Sequence, residues 1–368
     1  MRHCTAWLGL QCVPDQFFQP GQGIADGTVS MDKAKLEALR SRYVGDDSEV
    51  RDPKFRKVAE YQFTGTGKRR LPYGGMPTLL DAPYQDTLDD LDVALVGVPM
   101  DLGVTNRPGA RFGPRALRAI ERIGPYNHAL DVIPFRELRC ADIGDVPFES
   151  RYDLAASIAA IEAFYLPIVE MGVRPLSAGG DHSVTHPILK AVGRDVPVGC
   201  LHIDAHCDTS GEFEGAKFQH GAPFRHAVLD GVLDPERTVQ VGIRGSAEYL
   251  WEFSYESGMT VIHAETFAEL GVAEVVRRAR DVLGDGPVYV SLDVDGIDPA
   301  FAPGTGTPEV GGLSPREVQA LLRGCADLDI VGGDVVEVAP EYDATSNTAQ
   351  VGAQMLFEIL SMMATSSR

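Results

Sequence analysis

Pro197-Val198-Gly199-Cys200-Leu201-His202-Ile203-Asp204-Ala205-His206-Cys207-Asp208 joins a largely apolar run, expected as a strand over 197–203, to metal-ligand residue types at every second position. Side chains at i, i+2 and i+4 of a strand share one face, so the spacing predicts that Asp204, His206 and Asp208 converge on one point. Cys207 falls on the opposite face and is not counted as a ligand. The pattern is echoed by Asp293-Val294-Asp295 after the apolar run 287–292, and upstream Gly179-Gly180-Asp181-His182-Ser183 follows the run 174–178. Paired glycines let the backbone turn tightly behind a strand. The combined set, His182, Asp204, His206, Asp208, Asp293 and Asp295, holds two imidazoles and four carboxylates, too many for one ion with open positions. Two divalent ions would neutralise the four carboxylates, and nitrogen and oxygen donors without thiolate suit Mn, Ni, Fe, Co or Zn. Alone, an Asp-x-Asp at a strand end is commonly a turn or cap, and Gly-Gly-Asp is common in loops. Their joint occurrence behind three separate apolar runs favours a dinuclear centre.

Working outward, apolar runs over 93–98, 174–178, 197–203, 237–243, 259–263, 287–292 and 328–338 read as strands. They alternate with helical patterns over 152–171, 265–283, 315–326 and 347–362. Such βαβ alternation predicts an α/β fold of three layers, α/β/α, with a mostly parallel central sheet and ligands at the carboxyl ends of its strands. Residues 91–368 form the expected catalytic domain. Residues 1–90 read as a partly irregular extension: 33–43 suits a helix, while 19–29 and 65–77 are rich in Gly, Thr, Pro and charge. Its two readings are an arm making oligomer contacts and a lid, in which Leu71-Pro72-Tyr73-Gly74-Gly75-Met76-Pro77-Thr78 borders the pocket.

The chain has 368 residues, 44% of them hydrophobic, enough to bury a substantial core. No apolar run approaches the roughly 20 residues of a membrane helix, and the weakly apolar start does not read as a signal peptide. Six scattered cysteines without a C-x-x-C pair suit reduced thiols in a cytoplasm. A net charge of −20 argues against nucleic acid or an anionic membrane surface as partner. It would draw in a cationic substrate, or serve solubility alone.

The three ligand segments, with Ser291-Leu292-Asp293-Val294-Asp295-Gly296-Ile297-Asp298-Pro299 taken whole, resemble the signatures of the ureohydrolases, the arginase and agmatinase family. The resemblance extends through Arg107-Pro108-Gly109-Ala110-Arg111-Phe112-Gly113-Pro114, His220-Gly221-Ala222-Pro223-Phe224-Arg225, Pro303-Gly304-Thr305-Gly306-Thr307-Pro308-Glu309 and Glu337-Val338-Ala339-Pro340. It implies the arginase-like fold, two metal ions per subunit and assembly as trimers or hexamers. It also implies hydrolysis of a C–N bond in a guanidino compound, giving urea or a urea derivative plus ammonia or an amine.

Charge dictates what that reaction needs. Guanidinium carbon is deactivated by resonance, and two ions that share a water bring its pKa near neutrality. By the resemblance, Asp208 carries the proton from oxygen to the leaving nitrogen and His220 exchanges it with solvent; a structural loop histidine is the alternative for His220. Glu337 takes the family's substrate-binding position, where a carboxylate accepts parallel guanidinium N–H donors. Thr307 matches a position near the reacting centre, or it satisfies backbone groups in its turn. His186 and His202 read as packing or supporting residues, and His128, His226 and His263 have no assigned task.

Substrate choice is less legible. The loop 209–219 lacks the arginase-type Asn and Ser pattern for an α-amino-acid head group. His220-Gly221-Ala222-Pro223-Phe224-Arg225 looks agmatinase-like. Tyr342-Asp343-Ala344-Thr345-Ser346-Asn347-Thr348-Ala349 instead resembles enzymes of guanidinobutyrate and smaller guanidines. With the N-terminal extension, this favours a small cationic guanidino substrate: guanidine, an N-alkylguanidine or a biguanide such as metformin. The alternatives are agmatinase or guanidinobutyrase, and a subunit that needs a paralogous partner. Manganese is usual in arginases and agmatinases, nickel in the guanidine-hydrolase branch. A single-metal zinc deacylase of the same broad fold is disfavoured because all six ligands are retained.

Overall fold

A computed structural model of the chain describes residues 32–44, 50–64, 74–121 and 124–366. Eight strands form one sheet: β1 (Val93–Gly97), β2 (Cys140–Asp145), β3 (Arg174–Ala178), β4 (Val198–Ile203), β5 (Leu233–Ile243), β6 (Thr260–His263), β7 (Val288–Asp293) and β8 (Ile330–Val336), in the order β2-β1-β3-β8-β7-β4-β5-β6. Every neighbouring pair is parallel, from Val93 opposite Arg174 to Asp293 opposite Val336.

Period-two alternation distributes these strands between two cores, as burial of both faces requires. Val93, Leu95, Leu201, Ile203, Val290 and Leu292 face one core; Ala94, Val96, Val198, Cys200 and Tyr289 face the other. Helices Val272–Leu283, Pro315–Gly324 and Asn347–Ser366 cover the first, through residues such as Val275, Leu321 and Leu356. Leu154–Glu170, Thr185–Val192 and Pro223–Leu229 cover the second, through Ile161, Ile188 and Phe224. The three-layer α/β/α arrangement expected from the sequence is thus the observed one, with a sheet that is wholly parallel. No helix among the described residues is long and apolar enough to cross a membrane.

Three elements differ from the sequence reading. Strand β2 was not expected, because Cys140-Ala141-Asp142-Ile143-Gly144-Asp145 carries two aspartates and a glycine. It stands at the sheet edge, where Arg118 holds Asp142 through Nε at 2.8 Å and Nη2 at 3.0 Å. The helix expected over 265–283 is two, Ala264–Leu270 and Val272–Leu283, broken at Gly271, whose φ of +74° favours glycine. The ligand run leaves the strand earlier than its spacing implied: β4 ends at Ile203, and 204–208 bends away, with Asp208 at φ +49°.

The chain divides into two units, residues 1–55 and 56–368. In the first, helix Lys33–Arg42 starts where Asp32 Oδ1 accepts Ala34 N at 2.9 Å, and it buries none of its residues. In the second, Leu79, Leu80 and Ala82 lie in the core ahead of β1. The irregular stretch 19–29, residues 65–73 of the stretch 65–77 and, with them, the first three residues of the lid segment 71–78 lie outside the described residues. Gly74 to Pro77 are exposed and without regular structure.

Candidate metal centre

Four neighbouring central strands end side by side, and each delivers a piece of the site. After β3 the backbone runs so close to the β1 loop that a Cβ on Gly180 would stand 1.7 Å from the Met100 carbonyl oxygen. Asp181 N donates to that same oxygen at 2.8 Å, and the Asp181 carboxylate accepts Ser183 N and Gly103 N. This turn presents His182, fully buried, toward the ends of β4 and β7.

His182 Nδ1 lies 3.1 Å from Asp204 Oδ2, 2.9 Å from Asp208 Oδ2 and 3.3 Å from Asp293 Oδ2. None of these contacts has hydrogen-bond geometry, so a buried ring nitrogen is left without a partner among three carboxylates. His206 Nδ1 faces Asp204 Oδ1 at 3.4 Å and Asp295 Oδ2 at 3.1 Å. The ligand atoms of His182, Asp204, Asp208 and Asp293 lie within 4.8 Å of one another, as do those of Asp204, His206 and Asp295. All six residues expected from the sequence therefore meet in two clusters that share Asp204. Cys207 belongs to neither.

Electrostatics give the set its character. Burial, then Asp295 and Asp204, hold Asp293 well above the usual carboxylate range, and burial is the main force pushing Asp295 up to about 6. Burial opposes protonation of His182, yet the Asp204, Asp208 and Asp293 carboxylates outweigh it and hold the ring well above its ordinary value. His206 is raised likewise, against burial, chiefly by Asp295 and Asp204. Four carboxylates so close in a buried site require positive charge among them. Divalent cations with nitrogen and oxygen preference fit this donor set, and the unpartnered Nδ1 is the atom such an ion would take.

The expected catalytic residues adjoin this cluster. Glu337, at φ +62° just past β8, accepts His182 N at 2.9 Å through Oε1, while its buried Oε2 has no partner. Both nitrogens of His220 are engaged: Nδ1 with Glu337 Oε1 at 3.0 Å and Nε2 with Thr105 Oγ1 at 2.7 Å. Burial lowers its affinity for a proton, but Glu337, Asp208 and Asp181 prevail and push His220 up to about 9. Thr307 Oγ1 donates to Asp295 Oδ2 at 3.2 Å, a side-chain contact within the cluster rather than the backbone contact that its turn alone suggests. His206, Asp208, Asp293, Asp295, His220 and Thr307 all line one cleft of about 440 Å³. Gly74 to Thr78 are not among its lining residues.

Several neighbours escaped sequence reasoning. Asp181 lies between Gly180 and His182 but outside the expected ligand set; burial first, then Glu337, pushes it up to about 6. Ser291 opens a family segment without a role of its own in the expected set, and Thr105, Asp334, Gln240 and Arg244 carry no local signal, since their partners are up to 149 residues away. His202, expected to support the ligands, contacts Asp204 Oδ2 through Nε2 at 2.8 Å. His186 contacts Asp230 and takes no part in the cluster.

Comparison with known proteins agrees with this geometry. The model of the arginase family matches residues 91–362. Guanidinopropionase of Pseudomonas aeruginosa is 48% identical over 299 residues, covering 80% of this chain and 94% of the relative. The mitochondrial agmatinase of Gallus gallus is 47% identical over 293 residues, covering 78% and 86%. Among solved structures, proclavaminate amidino hydrolase from Streptomyces clavuligerus superimposes with a TM-score of 0.77 at 38% identity, over 81% of this chain and 100% of that one. With ligand residues clustered at the ends of a parallel sheet and these relatives, the chain belongs to the arginase family of ureohydrolases, hydrolases of non-peptide C–N bonds in guanidino compounds.

Proposed function

We propose that the chain hydrolyses a small guanidine, namely guanidine itself, an N-alkylguanidine or a biguanide such as metformin, to urea or a urea derivative and ammonia or an amine. The observation that carries this reading is the buried, unpartnered Oε2 of Glu337 beside the carboxylate cluster. An acceptor left free there suits a guanidinium N–H, while Oε1 is already held by His182 N and His220.

His182, Asp204, Asp208 and Asp293 would hold one divalent ion, Ni or Mn, and Asp204, His206 and Asp295 the other. Such a pair supplies a nucleophile at neutral pH from water. Glu337 orients the guanidinium, and Asp208 hands a proton to the leaving nitrogen from its cleft-facing carboxylate. His220, held between Glu337 and Thr105 at the cleft wall, exchanges that proton with solvent. Thr307 steadies Asp295.

Two features favour a substrate without an amino-acid or carboxylate tail. Two polar side chains of the 209–219 loop are spent on the loop and its edge: Gln219 Nε2 donates to Ser210 Oγ at 2.6 Å, and Ser210 Oγ to Gly221 O at 2.5 Å. Arg244, the one Arg or Lys among the described residues lining the cleft, spends its guanidinium on backbone carbonyls. A second reading, agmatine, rests on the relative named agmatinase at 47% identity; 4-guanidinobutyrate would restore the acid-tailed reading.

Assembly as a homo-oligomeric trimer or hexamer, or with a paralogous subunit, completes the proposal, and copurification of a second related chain would reveal the latter. A cytoplasmic setting agrees with Cys140, Cys200, Cys207 and Cys325 as buried free thiols. The deciding experiment loads the protein separately with Mn and Ni and detects products by mass spectrometry from guanidine, methylguanidines, metformin, agmatine and 4-guanidinobutyrate. Preference for a small guanidine or biguanide supports the proposal; preference for agmatine or guanidinobutyrate overturns it.

A further inference from the structure

Behind the two clusters stand two separate supports. On the first side, Asp334 is fully buried in β8 and accepts Thr185 Oγ1 at 2.8 Å, Tyr289 OH at 2.8 Å and Ser291 Oγ at 2.7 Å. Because the single Ser291 proton goes to Asp334, Ser291 Oγ can meet His182 Nε2, 2.9 Å away, only as an acceptor. As the neutral ring that a metal ligand must be, His182 then carries its proton on Nε2, and Nδ1 faces Asp204, Asp208 and Asp293. The Asp334–Ser291 pair thereby sets both the tautomer and the ring orientation of one histidine.

On the second side, Arg244 at the end of β5 is 5% exposed. Nε and Nη2 reach Glu309 O at 3.2 and 2.7 Å, Nη2 also reaches Asp295 O at 2.6 Å, and Nη1 reaches Gly242 O at 3.0 Å and Gly296 O at 3.2 Å. All five N–H donors are used. One side chain therefore ties the turn that carries Asp295 to the loop that carries Thr307, two residues before Glu309. A Cβ on Gly312 would stand 2.6 Å from Nη2, so the loop is closed tightly around the guanidinium.

We infer that Asp334, acting through Ser291, and Arg244 are positioning residues for the two halves of the centre, each governing one ion and not the other. This rests on the dinuclear reading of the site but on no particular substrate. Residues that orient ligands from behind typically alter metal affinity 10- to 100-fold.

The test is competition between the protein and a chelator for Mn²⁺, read as two dissociation steps, with electron paramagnetic resonance to separate coupled pairs from single ions. Ser291→Ala should weaken one step roughly 10- to 100-fold and leave single-ion signals, and Ser291→Thr, which keeps the hydroxyl, should restore the pair. Arg244→Lys should weaken the other step. Equal weakening of both steps by Ser291→Ala, or an unchanged isotherm accompanied only by a lower melting temperature of the metal-free protein, overturns the inference. Should the Arg244 variant not fold, the two Ser291 variants still decide. Binding of fewer than two Mn²⁺ by the unaltered protein would instead remove the dinuclear reading itself.

Discussion

Asp208 and Glu337 share an uncommon backbone state, with φ of +49° and +62°, at the two positions to which the proposed reaction assigns a carboxylate. Non-glycine residues in this region carry strain, which surrounding structure must hold in place. Asp208→Asn keeps the size of the side chain and removes its capacity to accept and pass a proton, so turnover should fall by roughly 10²–10⁴-fold; near-normal rates with full metal content would show that the proton travels another way. Glu337→Gln should act differently, raising KM roughly 100-fold through loss of a charge-assisted contact worth about 3 kcal/mol. Steady-state kinetics with the preferred guanidine distinguishes a KM effect from a kcat effect. Both residues were legible in the sequence, because the ligand spacing and the family motifs name them. Their backbone strain was not, nor was the partnering of His220 with Thr105, which joins positions 115 residues apart.

At the scale of elements, strands with unbroken apolar runs were readable because both faces of the sheet are buried. Strand β2 was hidden by the polar residues that secure it. Its neighbour pairing illustrates how: Arg139, just before β2, donates to Asp92, just before β1, through backbone N at 2.8 Å and Nη2 at 2.7 Å. The Arg139 contacts lower the Asp92 pKa, against a smaller opposing effect of burial. A depressed folded-state value stabilises the protein above the unfolded value, near 4, and the stabilisation disappears as pH falls through the folded value. Asp92→Asn should therefore cost about 1 kcal/mol at pH 7, discounted for exposure. The difference from wild type should shrink in urea titrations as pH falls below about 4, the unfolded value, and a difference independent of pH would assign the effect to packing. The split at Gly271 was missed for a simpler reason: apolar periodicity continues across it, and only the left-handed backbone interrupts the helix.

For the whole molecule, the carboxylates gathered at the centre are buried, whereas most of the charge behind the net −20 is solvated. Burying Asp204, Asp293 and Asp295 together is tolerable with cations between them and unfavourable without. Chelation should lower the melting temperature, and divalent ion at 100 times its dissociation constant should return about 2.7 kcal/mol of stability. Differential scanning calorimetry with and without Mn²⁺ or Ni²⁺ checks this; identical transitions would mean that the cluster is stabilised by protons on His182 and His206. The layering of the fold was readable from the alternation of strands and helices. The order of strands was not, because parallel neighbours such as β3 and β8 are far apart in sequence.

That strand order has a consequence for synthesis. Strand β8 leaves the ribosome after the other seven strands of the sheet, yet it sits between β3 and β7 and is hydrogen-bonded to both. His182 follows β3, whereas Asp204, Asp208 and Asp293 belong to the group on the far side of β8. A nascent chain that ends between Asp295 and Ile330 thus holds every proposed ligand residue but no strand to bring the two groups together. Capture of metal at the proposed centre would therefore wait until β8 itself has been made.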